Sequence, residues 1–240
     1  MKAKDKKAFI VLGVIIFLLV GVVIFLLVGE NGAEILPNGN GENAVEPTPS
    51  PPAPEKIQDA EGISYGTVKI GNQVWMSENL QTTPEYGQSW CYSDHDFNCD
   101  RYGRLYNWEA VMAGSQEPGS QGICPDGWYV PTDEDWHILE SFFAISSCEA
   151  GRLNWGCYPA GGMMKTEVWG GVEESTFAVL PAGRIDREGR SGHLHTYSFF
   201  WTSSKIGDGV WRRVFLDAQS SILRTTENPE YGYSVRCIKR

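Results

Sequence analysis

Hydrophobic and polar positions divide the chain into three regions. Residues 8–28 read AFIVLGVIIFLLVGVVIFLLV, 21 positions without a charged or polar side chain. At a rise of about 1.5 Å per residue this run makes a helix of about 31 Å, enough to cross a hydrocarbon core. The pattern predicts a single transmembrane helix. Lys2, Lys4, Lys6 and Lys7 in the basic tail 1–7 belong on the cytoplasmic side, which puts the remainder outside the cytoplasm. A cleavable signal peptide fits less well. The run exceeds the usual h-region of about 7–15 residues, and Val28-Gly29-Glu30 makes a poor cleavage site.

Residues 29–61 hold six prolines between Pro37 and Pro54 and no aromatic residue. Such a stretch buries too little apolar area to offset its ordering entropy, so a disordered, Pro-rich stalk is expected. Pro47–Pro54, PTPSPPAP, favours polyproline II and spans roughly 25 Å.

From Gly62 to Arg240 short apolar runs alternate with Gly, Asn and Asp, and all nine Trp lie here. Roughly 180 residues suffice for one domain with a real core. Thr67–Ile70, Gly71-Asn72 and Gln73–Met76 predict a two-residue hairpin. Thr132 and Asp135, followed by Trp136, Leu139 and Phe143, predict a capping box and a helix. Leu105–Ala113 predicts a second, shorter helix. Short strands are expected at Phe177–Leu180, Tyr197–Thr202, Val210–Leu216, Ile222–Thr225 and Tyr233–Ile238. Helices first and strands later, without regular alternation, imply an α+β fold with an antiparallel sheet.

Charge narrows the partners. The first 28 residues carry +3, so the chain's −10 leaves −13 on residues 29–240. So acidic a region is repelled by nucleic acid and by anionic lipid. All six cysteines lie in the outer domain. Outside the cytoplasm an even count reads as three disulfides, although six cysteines allow fifteen pairings. Spacing suggests the small loops Cys91–Cys99 and Cys148–Cys157, leaving Cys124–Cys237 as a long-range staple. No C-x-x-C is present to suggest a redox or metal motif.

The segments TVKIGNQVWMSENL (67–80), YGRLYNWEAV (102–111), ICPDGWYVPTDEDW (123–136), FAVLPAGR (177–184), FWTSS (200–204) and GYSVRCIKR (232–240) occur together and in this order. They resemble the major paralogous domain first described from Fibrobacter succinogenes, found on bacterial surface proteins. The resemblance covers nearly all of the outer domain. It implies a C-type-lectin-like fold, related more distantly to the formylglycine-generating enzyme. It also assigns Trp75, Trp108, Trp128, Trp136 and Trp201, which sit inside these segments, to packing. Cys148–Cys157 has the look of an insertion particular to this chain. Ala8–Val28 lacks the early Glu of a pilin-type leader, so no pilin is predicted.

Candidate chemistry is sparse. Asp94, Asp96, Asn98 and Asp100 alternate as calcium-loop oxygens do, but Cys99 and Leu105 stand where an EF-hand needs Gly and Glu. His193 and His195 would share one face of a strand, with no third metal ligand nearby in the sequence. No hydrolase, P-loop, dinucleotide or zincin motif occurs. The formylglycine-generating relatives use two reactive cysteines near the C-terminus, and that close pair is missing. Calcium-dependent sugar binding of the lectin type has only Glu227-Asn228-Pro229-Glu230 and Trp211-Arg212-Arg213 to offer, which do not match its pattern. Neither metal nor cofactor is therefore expected.

In related folds ligands meet the stretch that corresponds here to Lys205–Asn228. On a strand over Val210–Leu216, Trp211, Arg213 and Phe215 share one face, and Arg212 shares the other with Val214 and Leu216. Trp with Arg is the composition of binding hot spots, and aromatic faces also stack on sugars. The expected ligand-binding set is Lys205, Asp208, Trp211, Arg213, Asp217 and Arg224. The expected function is non-catalytic recognition of a protein or glycan at the cell envelope. The alternatives are a structural scaffold of an envelope complex and a divergent formylglycine-type oxidase.

Overall fold

The folded unit begins inside the stretch expected to be stalk. The computed structural model describes residues 55–146, 148–173 and 175–240. The tail 1–7, the membrane helix expected over 8–28 and most of the stalk lie outside the described residues. Among those described, no helix is long and apolar enough to cross a membrane. β1 (Lys56–Gln58) runs antiparallel to β2 (Ser64–Ile70), with Ile57 opposite Tyr65. Two features hold it. Ile57 packs against the core, and the Asp59 carboxylate gathers the turn, accepting from the backbone N–H groups of Glu61 and Ile63 and from the hydroxyls of Tyr65 and Thr82.

The Gly71-Asn72 pair closes the expected hairpin from β2 to β3 (Gln73–Met76), with Ile70 opposite Gln73. Gly71 adopts φ +58°, which glycine reaches without a Cβ penalty. A five-stranded sheet then forms in the order β1-β2-β3-β13-β6, where β6 is Trp128–Tyr129 and β13 is Ile238–Lys239. The C-terminal strand thus lies beside a strand from the start of the unit. Cys124–Cys237 fastens it there.

A second, four-stranded sheet carries the order β10-β11-β12-β7: β10 is Tyr197–Ile206, β11 Gly209–Leu216, β12 Ile222–Glu227 and β7 Asn154–Gly156. Its pairs are all antiparallel, with a register shift in β10 between Trp201 and Lys205. Two small ribbons, β4 (Ser89–Trp90) with β5 (Leu105–Tyr106) and β8 (Arg184–Ile185) with β9 (Ser191–Gly192), complete the strands.

Among the described residues four short α-helices accompany them rather than the two expected: α1 (Asp96–Tyr102), α2 (Trp108–Met112), α3 (Asp133–Phe143) and α4 (Ala160–Met164). α3 has the predicted capping box: the Thr132 hydroxyl accepts from the Asp135 N–H and the Asp135 carboxylate accepts from the Thr132 N–H. The helix expected over Leu105–Ala113 is shorter, because Leu105–Tyr106 pairs as β5 and the Asn107 side chain caps the chain only there, accepting from the Ala110 N–H at 3.0 Å. Phe177–Leu180 forms no strand, only a single bridge from Val179 to Lys165. Most of Tyr233–Ile238 is likewise too irregular for a strand, although buried and bridged through Tyr233 and Ser234.

Two apolar cores lie on either side of the second sheet. α3 and α4 cover one face, where Trp136, Leu139 and Met164 meet Phe200, Phe215 and Ile222. Trp136 sits at its centre, 5.2 Å from the Trp75 ring and 5.3 Å from Phe200. The other face packs Phe199, Trp201 and Val214 against Tyr233, Trp108 and Trp128. The five tryptophans assigned to packing are all buried. The remaining disulfides close Cys91 with Cys99 and Cys148 with Cys157, as the spacing suggests.

Candidate functional site

Strand alternation on β11 sends Arg213 and Arg212 to opposite faces. The face expected to bind ligand is the one α3 covers. Arg213 is fully buried there; its guanidinium donates to Asp133 at 2.7 Å and to Glu140. Arg224, beside it on β12, forms a two-pronged pair with Asp133 at 2.7–3.2 Å and donates to the Arg152 carbonyl. Arg152 closes the chain onto Glu140. Burial alone would raise the Asp133 carboxyl, but hydrogen bonds from Arg224 and the charge of Arg213 outweigh it and hold the group below its usual range. This is a brace that ties α3 to the sheet. It corrects the expectation that Arg213 and Arg224 present themselves to solvent.

The rest of the expected set scatters. Trp211 is half-buried with the Arg224 guanidinium 3.6 Å from its ring centroid. Lys205 and Asp208 are exposed at the β10–β11 turn, where the Lys205 ammonium lies 4.9 Å from the Trp108 ring. Asp217 is exposed, and its backbone carbonyl accepts from the buried Lys165 ammonium at 2.7 Å.

The metal candidates come apart as well. Asp96, Asn98 and Asp100 fall in α1, whose 3.6-residue period splays alternate side chains, and the Asn98 amide donates to the Tyr92 carbonyl. Asp94 lies before that helix in a 3₁₀ turn. His193 and His195 precede β10 rather than lying on a strand. The first packs 5.1 Å from Tyr197, the second 6.0 Å from Tyr102.

The side of the sheet away from α3 holds a constellation that the sequence reading missed. Four rings follow one another with shallow interplanar angles: Tyr197 to Phe199 at 5.7 Å, Phe199 to Tyr233 at 5.0 Å, and Tyr233 to Tyr231 at 5.9 Å. Arg212 lies 5.2 Å from both Phe199 and Tyr233, and Arg184 lies 5.2 Å from Tyr231. The rings supply quadrupole faces for the two cations. Gly232 makes the Tyr231–Tyr233 spacing possible. It exchanges backbone bonds with Ile185, and a Cβ there would sit 2.9 Å from Ile185 Cβ and from the Trp90 ring.

Arg212 Nη2 pairs with Glu227 at 3.1 Å. Its Nε and Nη1 are buried and have no hydrogen-bond partner among the described residues. Buried donors are normally satisfied, so these two N–H groups are conspicuous. Burial pushes the Tyr233 phenol well up, so it stays protonated at neutral pH. Burial first, then the Arg184 charge, lowers the His193 imidazole. Phe199 and Tyr233 are buried while Tyr197, Tyr231, Arg184 and Arg212 are half-buried, so this is an arginine–aromatic cluster that reaches solvent only at its margins. The signal in the sequence was the aromatic alternation at 197, 199 and 201, echoed at 231 and 233.

All six cysteine sulfurs are in disulfides. Residues 68–239 match the family model described as the Fibrobacter succinogenes major domain. No curated protein and no solved structure matches the chain.

Proposed function

The chain belongs to the Fibrobacter succinogenes major domain family, and on that premise we propose that it is a non-catalytic recognition module of the cell envelope. The observation that carries the reading is the half-buried pair Arg184 and Arg212 beside Tyr197 and Tyr231, with two buried Arg212 N–H groups lacking acceptors. Such a cluster suits a carboxylate-bearing protein or glycan: the carboxylate pairs with the half-buried Arg184 and Arg212, and the peptide or sugar chain lies along Tyr197 and Tyr231. Arg with Tyr is also the composition that dominates binding energetics. In this proposal the fold is C-type-lectin-like, supported by the first and last strands of the described residues lying in one sheet. Residues 8–28 anchor the chain, and the Pro-rich stalk presents the domain outside the cytoplasm, a placement that three disulfides suit.

A copper-thiolate oxidase is disfavoured, because every sulfur is already in a bridge. The experiment is an array of acidic and neutral glycans and peptides probed with the domain and with its Arg184→Ala and Arg212→Ala variants. Binding confined to acidic members and lost in both variants supports the reading. Binding that ignores both substitutions sinks it, and binding to no member favours the scaffold.

A further inference from the structure

α3 is apolar on two sides. Trp136, Leu139 and Phe143 face the core. Ile138 and Phe142, four apart on the helix, form a second stripe that is 47 and 60 % exposed, and Ile145, past the helix end, is 81 % exposed. That stripe continues beyond the helix. The Ile145 N–H donates to the Tyr158 carbonyl at 3.0 Å, joining it to the Cys148–Cys157 loop, where Leu153, Trp155 and Tyr158 are also exposed. Eleven large apolar side chains are exposed among the described residues, and eight of them lie between 138 and 168. Such concentration marks an interaction surface rather than scattered exposure. Trp155 lies on β7, an outer strand of the second sheet, whose far edge is unpaired among the described residues.

We propose that this face binds a second copy of the chain through a two-fold contact. Charge selects that occupant. Across a two-fold the same patch meets itself, so a surface of one sign repels its own copy. Residues 29–240 carry −13, yet between 138 and 168 the exposed ionic side chains are only Glu149 and Glu167, because Glu140, Arg152 and Lys165 are turned inward. The patch is therefore compatible with itself where the acidic surface is not. β7 paired with its own copy would join two four-stranded sheets, cover both free edges and bury Trp155. Six half-exposed side chains offer roughly 500 Å² per copy, about 1,000 Å² in total, near the lower bound for a specific interface. The dimer should therefore be concentration-dependent, with a midpoint in the micromolar range. α3 and Arg212 lie on opposite faces of the sheet, so the pair does not cover Arg184 or Arg212.

The test is sedimentation velocity on residues 55–240, a unit that contains its own cores and all three disulfides. Wild type should pass from monomer to dimer as concentration rises. Phe142→Glu and Trp155→Glu should each weaken the dimer at least tenfold with unchanged circular dichroism, and Ile206→Glu at the far turn should not. A monomer at every concentration overturns the proposal, as does a dimer indifferent to both substitutions. Cosedimentation of monomer with neutral phosphatidylcholine vesicles, abolished by Phe142→Glu, would assign the face to a bilayer and overturn it equally.

Discussion

Arg212 and Arg213 are neighbours on β11 with opposite circumstances. The Arg213 guanidinium is sealed under α3 between Asp133 and Glu140. That of Arg212 lies against Phe199 and Tyr233, with two N–H groups unmatched. Strand alternation alone separates a structural cross-tie from the surface proposed for recognition.

The cross-tie depends on Glu140, whose side chain has no exposed area and meets both Arg152 and Arg213. Glu140→Ala leaves two guanidinium groups buried without that acid, a change expected to cost roughly 3–5 kcal/mol. Trp211→Ala removes only a half-exposed stacking contact and should cost about 1 kcal/mol. Urea unfolding monitored by Trp fluorescence separates the two. Similar midpoints would mean that Glu140 is not the keystone.

Acid should weaken the same region. The Asp133 carboxyl titrates lower in the folded state than in the unfolded chain. Its contribution is present above the ordinary carboxylate range and fades as pH falls through the folded-state value. Wild type should lose stability below about pH 4. Asp133→Asn should be less stable at neutral pH and show a flatter acid limb in thermal melts. Parallel curves for the two proteins would contradict this.

The three disulfides should differ in weight. Cys124–Cys237 closes 113 residues and Cys91–Cys99 closes 8. In the chain-entropy model these correspond to about 5 and about 2.5 kcal/mol respectively. Paired Cys→Ser variants, compared by chemical denaturation, should rank in that order. The reverse ranking would show that native-state effects dominate.

His193 reports on the face away from α3. Arg184 adds to the burial that lowers its imidazole. Arg184→Gln should move the His193 proton NMR titration upward. An unchanged His193 curve would place the Arg184 charge elsewhere.

Local chemistry was legible in the sequence and tertiary coverage was not. Gly71-Asn72, the Thr132–Asp135 cap and the Cys91–Cys99 and Cys148–Cys157 pairs rest on contacts that their own spacing suggests, and Cys124–Cys237 is what those two pairs leave. Alternation along β11 was equally legible, but a single strand does not reveal which of its faces will be covered. That is decided by α3, whose Asp133 lies 80 residues before its partner Arg213. α1 hid inside an acidic, Asn-containing segment of the kind that favours turns, and its Cys91–Cys99 bridge only becomes helical geometry in context. β1 hid in a Pro-rich neighbourhood, because the register that recruits it comes from β2.

Arginine side-chain NMR is the most direct test of the proposed recognition surface. With galacturonate and a glutamate-rich peptide as probes, the Nε–H resonances of Arg212 and Arg184 should shift together and saturably, and that of Arg213 should stay still. Backbone amide shifts confined to the β10–β11 turn around Lys205 and Asp208, with the Arg212 Nε–H resonance silent, would contradict it.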